Sequence, residues 1–345
     1  MEKTDLKSLD QAELAALLSR MGEPRYRGKQ LFEWLHKKRA QSFREMTTLP
    51  GTLRETLEAS CAITALEPLK TQVSAADGTV KYLFGLPDGN AVETVLMSHR
   101  HGDSLCVSTQ AGCRMGCAFC ASTIGGLARN LAASEMLEQV YEAGRQSGRR
   151  IGSVVLMGIG EPLDNFIPVT RFLALLSDSD GLGMSLRHVS LSTCGLVDKI
   201  DLLAEKRLPL TLSVSLHAPN DEIRDRIMPI NRKWNIGELL GSCRRYFEKT
   251  GRRVSFEYAL IDGLNDRDIH ARELAGRLRG PGCHVNLIPV NPVRERGFAR
   301  SRRENTGRFL EILQKAGVTA TVRRPLGNDI SAACGQLRRE SASVV

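Results

Sequence analysis

Apolar residues in the first sixty positions recur at helical intervals. Leu14, Leu17 and Leu18 fall three and four apart, and Ser8-Leu9-Asp10-Gln11 before them has capping-box spacing, so a helix should begin there. A second helix should carry Leu31, Trp34 and Leu35 on one face, beside Lys37, Lys38 and Arg39. A third should form around Leu53 and Leu57, after Pro50-Gly51. From Glu67 the period shortens. Lys81–Leu86 and Ala91–Met97 read as strands, and Pro87-Asp88-Gly89-Asn90 between them is a turn signal, which predicts a hairpin. Further on, apolar runs of strand length alternate with helical stretches. The runs are Ser104–Ser108, Ser153–Met157, His188–Ser192, Leu210–Leu216, Val254–Leu260, His284–Pro289 and Val318–Arg323. Ser134–Gln146, with Ser134 as N-cap, is one of the helices between them. Such alternation predicts a parallel sheet with crossover helices. Six or seven units over about 230 residues fall short of an eight-unit barrel. The expected fold is therefore α/β, an incomplete (β/α)6 barrel that keeps its function at the C-terminal strand ends. The expected organisation is a helical unit at 1–66, a hairpin linker at 67–98, a catalytic core at 99–337 and a tail at 338–345.

Charge widens the picture. The formal net charge is +9, so a polyanionic partner such as nucleic acid competes with a basic metabolic enzyme. The basic residues of the second helix, and the loop Arg294–Arg303, suit phosphate contacts. Tyr26 and Trp34 could stack on bases, but a small helical bundle is expected to use them as core. No apolar run approaches the roughly 20 residues of a membrane span, and the N-terminus has no apolar segment of a secretory signal. Nine cysteines, odd in number and dispersed apart from one cluster, fit a reducing cytosol rather than a disulfide framework.

That cluster is Cys113-Arg-Met-Gly-Cys117-Ala-Phe-Cys120, three thiols with no local fourth. A structural zinc site closes on four ligands, usually from two separated pairs. An iron–sulfur cube suits three, because its fourth iron can stay open to a small molecule. A zinc knuckle, or a thioredoxin-like pair of Cys117 and Cys120, are the competing readings. Gly158-Ile-Gly160-Glu161-Pro follows the second strand of the core; its glycines would let a ligand approach the backbone, and Glu161 could accept from an ammonium group. Ser192-Thr-Cys194-Gly follows the third strand, Ser215-Leu-His217-Ala-Pro the fourth and Asn291-Pro the sixth. Singly these are turn residues. Repeated at successive strand ends, they mark where a barrel builds its site.

The C-x3-C-x2-C spacing, with Phe119 before the last cysteine, resembles the cluster loop of radical S-adenosylmethionine (SAM) enzymes. Three stretches narrow the resemblance: Leu105-Cys106-Val-Ser-Thr-Gln-Ala-Gly-Cys113, the cluster loop with Ala121-Ser-Thr-Ile-Gly-Gly, and Ile330-Ser-Ala-Ala-Cys334-Gly-Gln-Leu. Together they resemble the RlmN/Cfr family of RNA adenine methyltransferases, from the N-terminal helices to Leu337. The resemblance implies a partial (β/α)6 radical SAM barrel with a small N-terminal helical domain and a β-hairpin linker. It implies one [4Fe–4S] cluster and SAM as cofactors, 23S rRNA and tRNA as substrates, and an external electron donor such as flavodoxin. It also implies a cytoplasmic monomer with no membrane partner, acting at adenine C2, with C8 methylation as the family's other outcome. A radical SAM maturase acting on protein would share the cluster but not need Cys106 and Cys334. A pure RNA-binding module would leave the cluster loop without a purpose.

Residue by residue, the resemblance makes Cys113, Cys117 and Cys120 the cluster ligands. It makes Gly160, Glu161, Ser192, Ser215, Leu216, His217 and Asn291 the SAM contacts. It also implies the chemistry, since adenine C2 has no lone pair with which to attack a methyl group. One SAM would methylate Cys334, and a second would be cleaved to a 5′-deoxyadenosyl radical that abstracts hydrogen from that methyl. The methylene would add to C2, Glu93 would accept the proton, and Cys106 would release the product by forming a transient disulfide with Cys334. On its own Glu93 reads as a solvated strand carboxylate. Cys61, Cys194, Cys243 and Cys283 read as structural thiols.

Overall fold

Capping and burial define the N-terminal unit. The computed structural model describes residues 3–99, 101–278, 282–291, 293, 295–324, 326, 327, 329 and 330. Strands β1 (Thr4–Asp5) and β2 (Cys61–Ala62) pair in parallel at its base. Between them lie helices α1 (Gln11–Arg20), α2 (Tyr26–Phe32) and α3 (Gly51–Ser60), with a π-turn at Glu33–Lys37 extending α2. Leu14, Leu18, Leu31, Leu35 and Leu57 are fully buried, as the periodicity predicts. The cap is displaced, however. Asp10 caps α1 in a reciprocal pair with Glu13, while the Ser8 hydroxyl donates to Asp5 and accepts from the Ser134 amide. The aromatics divide as well. Trp34 packs against the core under Lys38, whereas Tyr26 is 59 % exposed and so is not the core residue expected.

The remaining main strands form one ten-stranded sheet. Strands β3 (Glu67–Val73), β4 (Val80–Gly85) and β5 (Ala91–His99) are antiparallel, and β5 pairs antiparallel with β6 (Gly102–Cys106). The expected hairpin is thus bonded into the same sheet as the core. A small separate hairpin, β7 (Gln110–Gly112) and β8 (Leu127–Asn130), brackets the cysteine loop. From β6 the sheet is parallel through β9 (Ile151–Leu156), β10 (Val189–Thr193), β11 (Thr211–Ser215), β12 (Val254–Leu260), β13 (Cys283–Pro289) and β14 (Ala320–Val322). The crossovers use α4 (Ala133–Ser147), α5 (Phe166–Ser177), α6 (Val197–Glu205), α7 (Asp221–Ile227) with α8 (Ile236–Thr250), α9 (Asp268–Arg277) and α10 (Arg303–Lys315). Ser134 lies inside α4 rather than capping it; Glu135 accepts from the Ala132 amide instead.

Six crossovers thus join seven parallel strands, and the sheet order ends at β14 and β3 without closing. This is the partial (β/α)6 barrel that the alternation predicts, with a terminal strand added. Side chains alternate along each strand. Leu105, Val154, Leu191, Leu212, Val214 and Leu287 face the helices and are fully buried. The opposite positions, among them Cys106, Ser192, Ser215 and Glu257, line the lumen. A lumen lined by small and polar groups stays hollow, which leaves room for ligands. No helix among the described residues is long and apolar enough to cross a membrane.

Candidate active site

A cavity of about 380 Å³ opens at the C-terminal strand ends. At one side sits the loop between β7 and β8. Gly112, before the first cysteine, has φ +89°, and a Cβ there would lie 2.1 Å from the Gly126 carbonyl oxygen, so the hairpin closes only with glycine. Cys113, Cys117 and Cys120 all line the cavity. Thr123 donates to the carbonyls of Cys117 (3.2 Å) and Cys120 (3.0 Å) and fixes the turn. Burial pushes the Cys113 thiol up to about 12 and Cys117 higher still, and the neighbouring thiols add to both shifts. A bound cation would be needed to bring such thiols to their thiolate form.

Among the described residues no three His, Cys, Asp or Glu side chains converge on a single ion. A cube needs no such convergence, because each cysteine binds a different iron and the sulfurs stand apart. The donor set therefore fits a cluster with one open iron better than mononuclear zinc.

The second strand end lies beside this loop. Gly160 has φ +112°, and a Cβ there would come within 2.7 Å of the Gln110 side chain; a Cβ on Gly158 would strike Ser108 at the same distance. These glycines let the loop pack on the chain after β6, a different reason from the ligand approach expected of them. Glu161 has a structural task besides the one expected of it. Its carboxylate is buried and accepts the Leu163 amide at 3.0 Å and the Cys194 amide at 2.7 Å, which stitches two strand ends together. Burial raises its pKa, and these amides act against the rise.

Ser192, Ser215, His217 and Asn291 line the cavity with Gly160 and Glu161, while Leu216 is buried. His217 has φ +57°, an uncommon conformation held by Asn265, which donates to its carbonyl at 2.8 Å. Its Nδ1 accepts from the Ala259 amide at 2.9 Å, and burial lowers its pKa to about 3. The ring is neutral and carries its proton on Nε2.

Cys106 also lines the cavity, in an apolar group with Val95 and Met97 against which Leu326 packs. Cys334, assigned the methyl group, lies outside the described residues, as does Arg294. No disulfide joins two described cysteines, and the transient pair expected of Cys106 involves Cys334, which is not among them. The chain leading to Cys334 is tied to the β3–β4 turn: the Gly327 amide donates to Asp77 at 2.7 Å, and Asp329 accepts from the Ser74 hydroxyl at 2.6 Å and the Ala75 amide at 2.8 Å. Glu93 is not a solvated strand carboxylate. It is buried, and its Oε2 lies 3.0 Å from the equally buried Lys81 ammonium. Val95 and Met97, further along the same face of β5, reach the cavity directly.

Several residues of the site escaped the sequence reading. Gln110 accepts from the Glu161 amide at 2.8 Å and donates to Asp164 at 2.9 Å, and Asp164 also pairs with Arg114. Arg224 is fully buried and donates to the carbonyls of Cys194, Ser215 and Leu216. Two arginines of the basic loop bond within the chain, Arg296 half-buried and Arg300 still exposed. Arg296 donates to Thr123 at 2.8 Å, and Arg300 donates to Asn291 at 2.7 Å. Arg302 and Arg303 remain exposed.

An open parallel barrel with a three-cysteine loop after its first strand defines a radical SAM enzyme, and the radical SAM superfamily model matches residues 107–275. Residues 4–63 match a second model, the ribosomal RNA large subunit methyltransferase N-terminal domain. A "Probable dual-specificity RNA methyltransferase RlmN" from Pelotomaculum thermopropionicum is 54 % identical over 99 % of this chain and 93 % of its own. Its namesake from Lachnoclostridium phytofermentans is 51 % identical over 98 % and 95 %. The crystal structure of a radical SAM methyltransferase from Sphaerobacter thermophilus superposes with a TM-score of 0.92, at 46 % identity, covering 96 % of this chain and 98 % of that one. The chain belongs to the RlmN family of radical SAM RNA methyltransferases, whose cofactors are a [4Fe–4S] cluster and SAM.

Proposed function

We propose that this chain methylates C2 of adenine in 23S rRNA and in tRNA, by way of a methyl group carried on the Cys334 sulfur. One observation carries the reading. Cys106 shares a cavity with the three cluster cysteines, and Leu326, eight positions before Cys334, packs on the Cys106 group. When bound, the cluster and SAM supply a low-potential electron, a methyl group and hydrogen-abstracting chemistry. Cys113, Cys117 and Cys120 hold the cluster; Gly160, Glu161, Ser192, Ser215, Leu216, His217 and Asn291 hold SAM.

The Cys334 thiolate takes the methyl group from SAM, and its methylene, after losing a hydrogen atom, bonds to adenine C2; the odd electron this leaves on the base would pass back to the cluster. Glu93, held by Lys81, takes the C2 proton. The Cys106 thiolate then attacks the Cys334 sulfur, and the carbon–sulfur bond breaks with its electron pair left on carbon. That carbon takes up a proton to complete the methyl group, and the disulfide left behind is reopened by an external thiol reductant. Residues 1–66 act as an RNA-contacting domain, 67–98 as a linker, 99–337 as the catalytic core and 338–345 as a tail. An external donor such as flavodoxin supplies electrons to a cytoplasmic monomer.

Mass spectrometry of nucleosides from RNA treated with the anaerobically reconstituted protein tests this reading. 2-Methyladenosine is expected. 8-Methyladenosine would move the assignment to C8, and SAM consumption without a methylated nucleoside would favour a protein maturase.

A further inference from the structure

Arg224 is among the largest fully buried side chains of the described residues. Its guanidinium donates to the Leu216 carbonyl at 3.1 Å, Asn231 Oδ1 at 3.0 Å, the Cys194 carbonyl at 2.7 Å and the Ser215 carbonyl at 3.3 Å. Every acceptor is neutral. Among the described residues no carboxylate pairs with it. Asp221 and Asp225 are joined to it by hydrogen bonds only through the Asn231 amide, which donates to each, at 3.0 Å and 2.8 Å, although the Asp221 charge also favours the guanidinium across space. A guanidinium keeps its charge at any working pH, and a buried charge without a counter-charge is strongly unfavourable. Neutral carbonyls spread the charge but do not cancel it.

The place of Arg224 indicates what cancels it. Helix α7, which carries it, docks under the cysteine loop, where the Ala118 amide donates to the Ile227 carbonyl at 2.8 Å. A Cβ on Gly116 would lie 3.4 Å from Pro229, just beyond the helix. Its Nη2 rests on the carbonyl of Cys194, which lines the cavity together with Cys113, Cys117 and Cys120. A cube bound by three thiolates is net negative, and more so after it accepts an electron. We propose that Arg224 is the fixed counter-ion of the iron–sulfur cluster and raises its reduction potential. In a site of low dielectric, a fixed cation favours the more negative, reduced state. By linkage, the cluster in turn stabilises the fold around Arg224. The same guanidinium ties the ends of β10 and β11, so Arg224 also positions two of the proposed SAM-binding loops. The inference rests on the cluster reading above.

The test compares wild type with Arg224→Met, each assembled anaerobically with ferrous iron and sulfide. Electron paramagnetic resonance gives the reduced-to-oxidised ratio at the poise where wild type is half reduced. The ratio should fall about tenfold in Arg224→Met, a shift of about 59 mV for a one-electron couple. The gain in Tm on cluster assembly should also be smaller than in wild type, whereas a merely structural arginine would lower the apo and loaded Tm alike. Arg224→Lys, which keeps the charge, should restore the ratio to within about twofold. If the Met variant does not fold, Asn231→Asp sets a carboxylate against the same guanidinium and must shift the ratio in the same direction. An unchanged ratio in either folded neutralising variant, or a Lys variant as depressed as Met, overturns the inference. Wild-type protein that assembles no cluster overturns the cluster reading instead.

Discussion

Glu161 shows how one buried side chain at the edge of a ligand site also organises it. Its two oxygens satisfy two amides on different strand ends, at 3.0 Å and 2.7 Å. Glutamine offers one acceptor oxygen, so Glu161→Gln should strand a buried amide at a cost of about 1–3 kcal/mol. SAM affinity measured by equilibrium dialysis should fall while iron loading persists; unchanged affinity would show that the stitching is idle. Cys106 supports a sharper expectation. Cys106→Ala should still allow methylation of Cys334 but stall with RNA attached, seen as a denaturant-resistant, nuclease-sensitive band. Multiple turnover without that band would remove the resolving role. Both residues stood out in the sequence because their motifs are local. Arg224, Lys81 and Gln110 did not, because their partners lie on other strands and reach them only after folding. Arg296 shows the distance involved: its contact with Thr123 spans 173 positions, so a basic loop that suggests phosphate binding by composition is partly an internal strap.

Elements were legible where periodicity is strong and misplaced where competing caps exist. The sequence alternation predicted the parallel strands, yet Asp10 displaced Ser8 and Glu135 displaced Ser134, because a carboxylate at the start of a helix satisfies free amides at least as well as a hydroxyl. No pattern announced the clasp between the β3–β4 turn and residues 327–329. Asp77 is held down to about 2, chiefly by the Gly327 amide and the Thr79 hydroxyl. A lowered carboxylate pKa means that the clasp contributes fully above the unfolded value near 3.8 and is lost as pH falls through about 2. The clasp should therefore hold across neutral and mildly acidic pH. Asp77→Ala should accelerate hydrogen exchange at Gly327 and Asp329 at pH 7, with Asp77→Asn intermediate because its amide oxygen still accepts. Exchange equal to wild type in the Ala variant would mean that the contact does not hold the segment.

At the scale of the whole molecule, the N-terminal unit is welded to the barrel by buried polar groups. Lys7 and Glu138 pair at 2.6 Å with neither side chain exposed, and Lys7 also donates to the Thr64 carbonyl at 2.8 Å. Next to them the His36 ring contacts the Tyr141 hydroxyl at 3.0 Å. RNA held by this unit would meet the barrel mouth in a fixed geometry. The weld has a pH signature. Burial first, and Lys7 second, lower His36 to about 3, so the folded protein keeps this ring neutral. The unfolded chain protonates it near 6.5, so between about 6.5 and 3 the unfolded state binds one more proton, and stability falls as pH falls through that window. At about 1.4 kcal/mol per pH unit, roughly 2 kcal/mol would be lost by pH 5. His217, also lowered to about 3, should add a similar loss. The apo-protein Tm should therefore drop between pH 7.5 and pH 5. In His36→Gln the drop should be smaller, although the variant starts from a lower Tm because the replacement packs less well against Phe32 and Tyr141. A variant whose Tm falls as steeply as wild type over that range would show that His36 is not the titrating group of the weld.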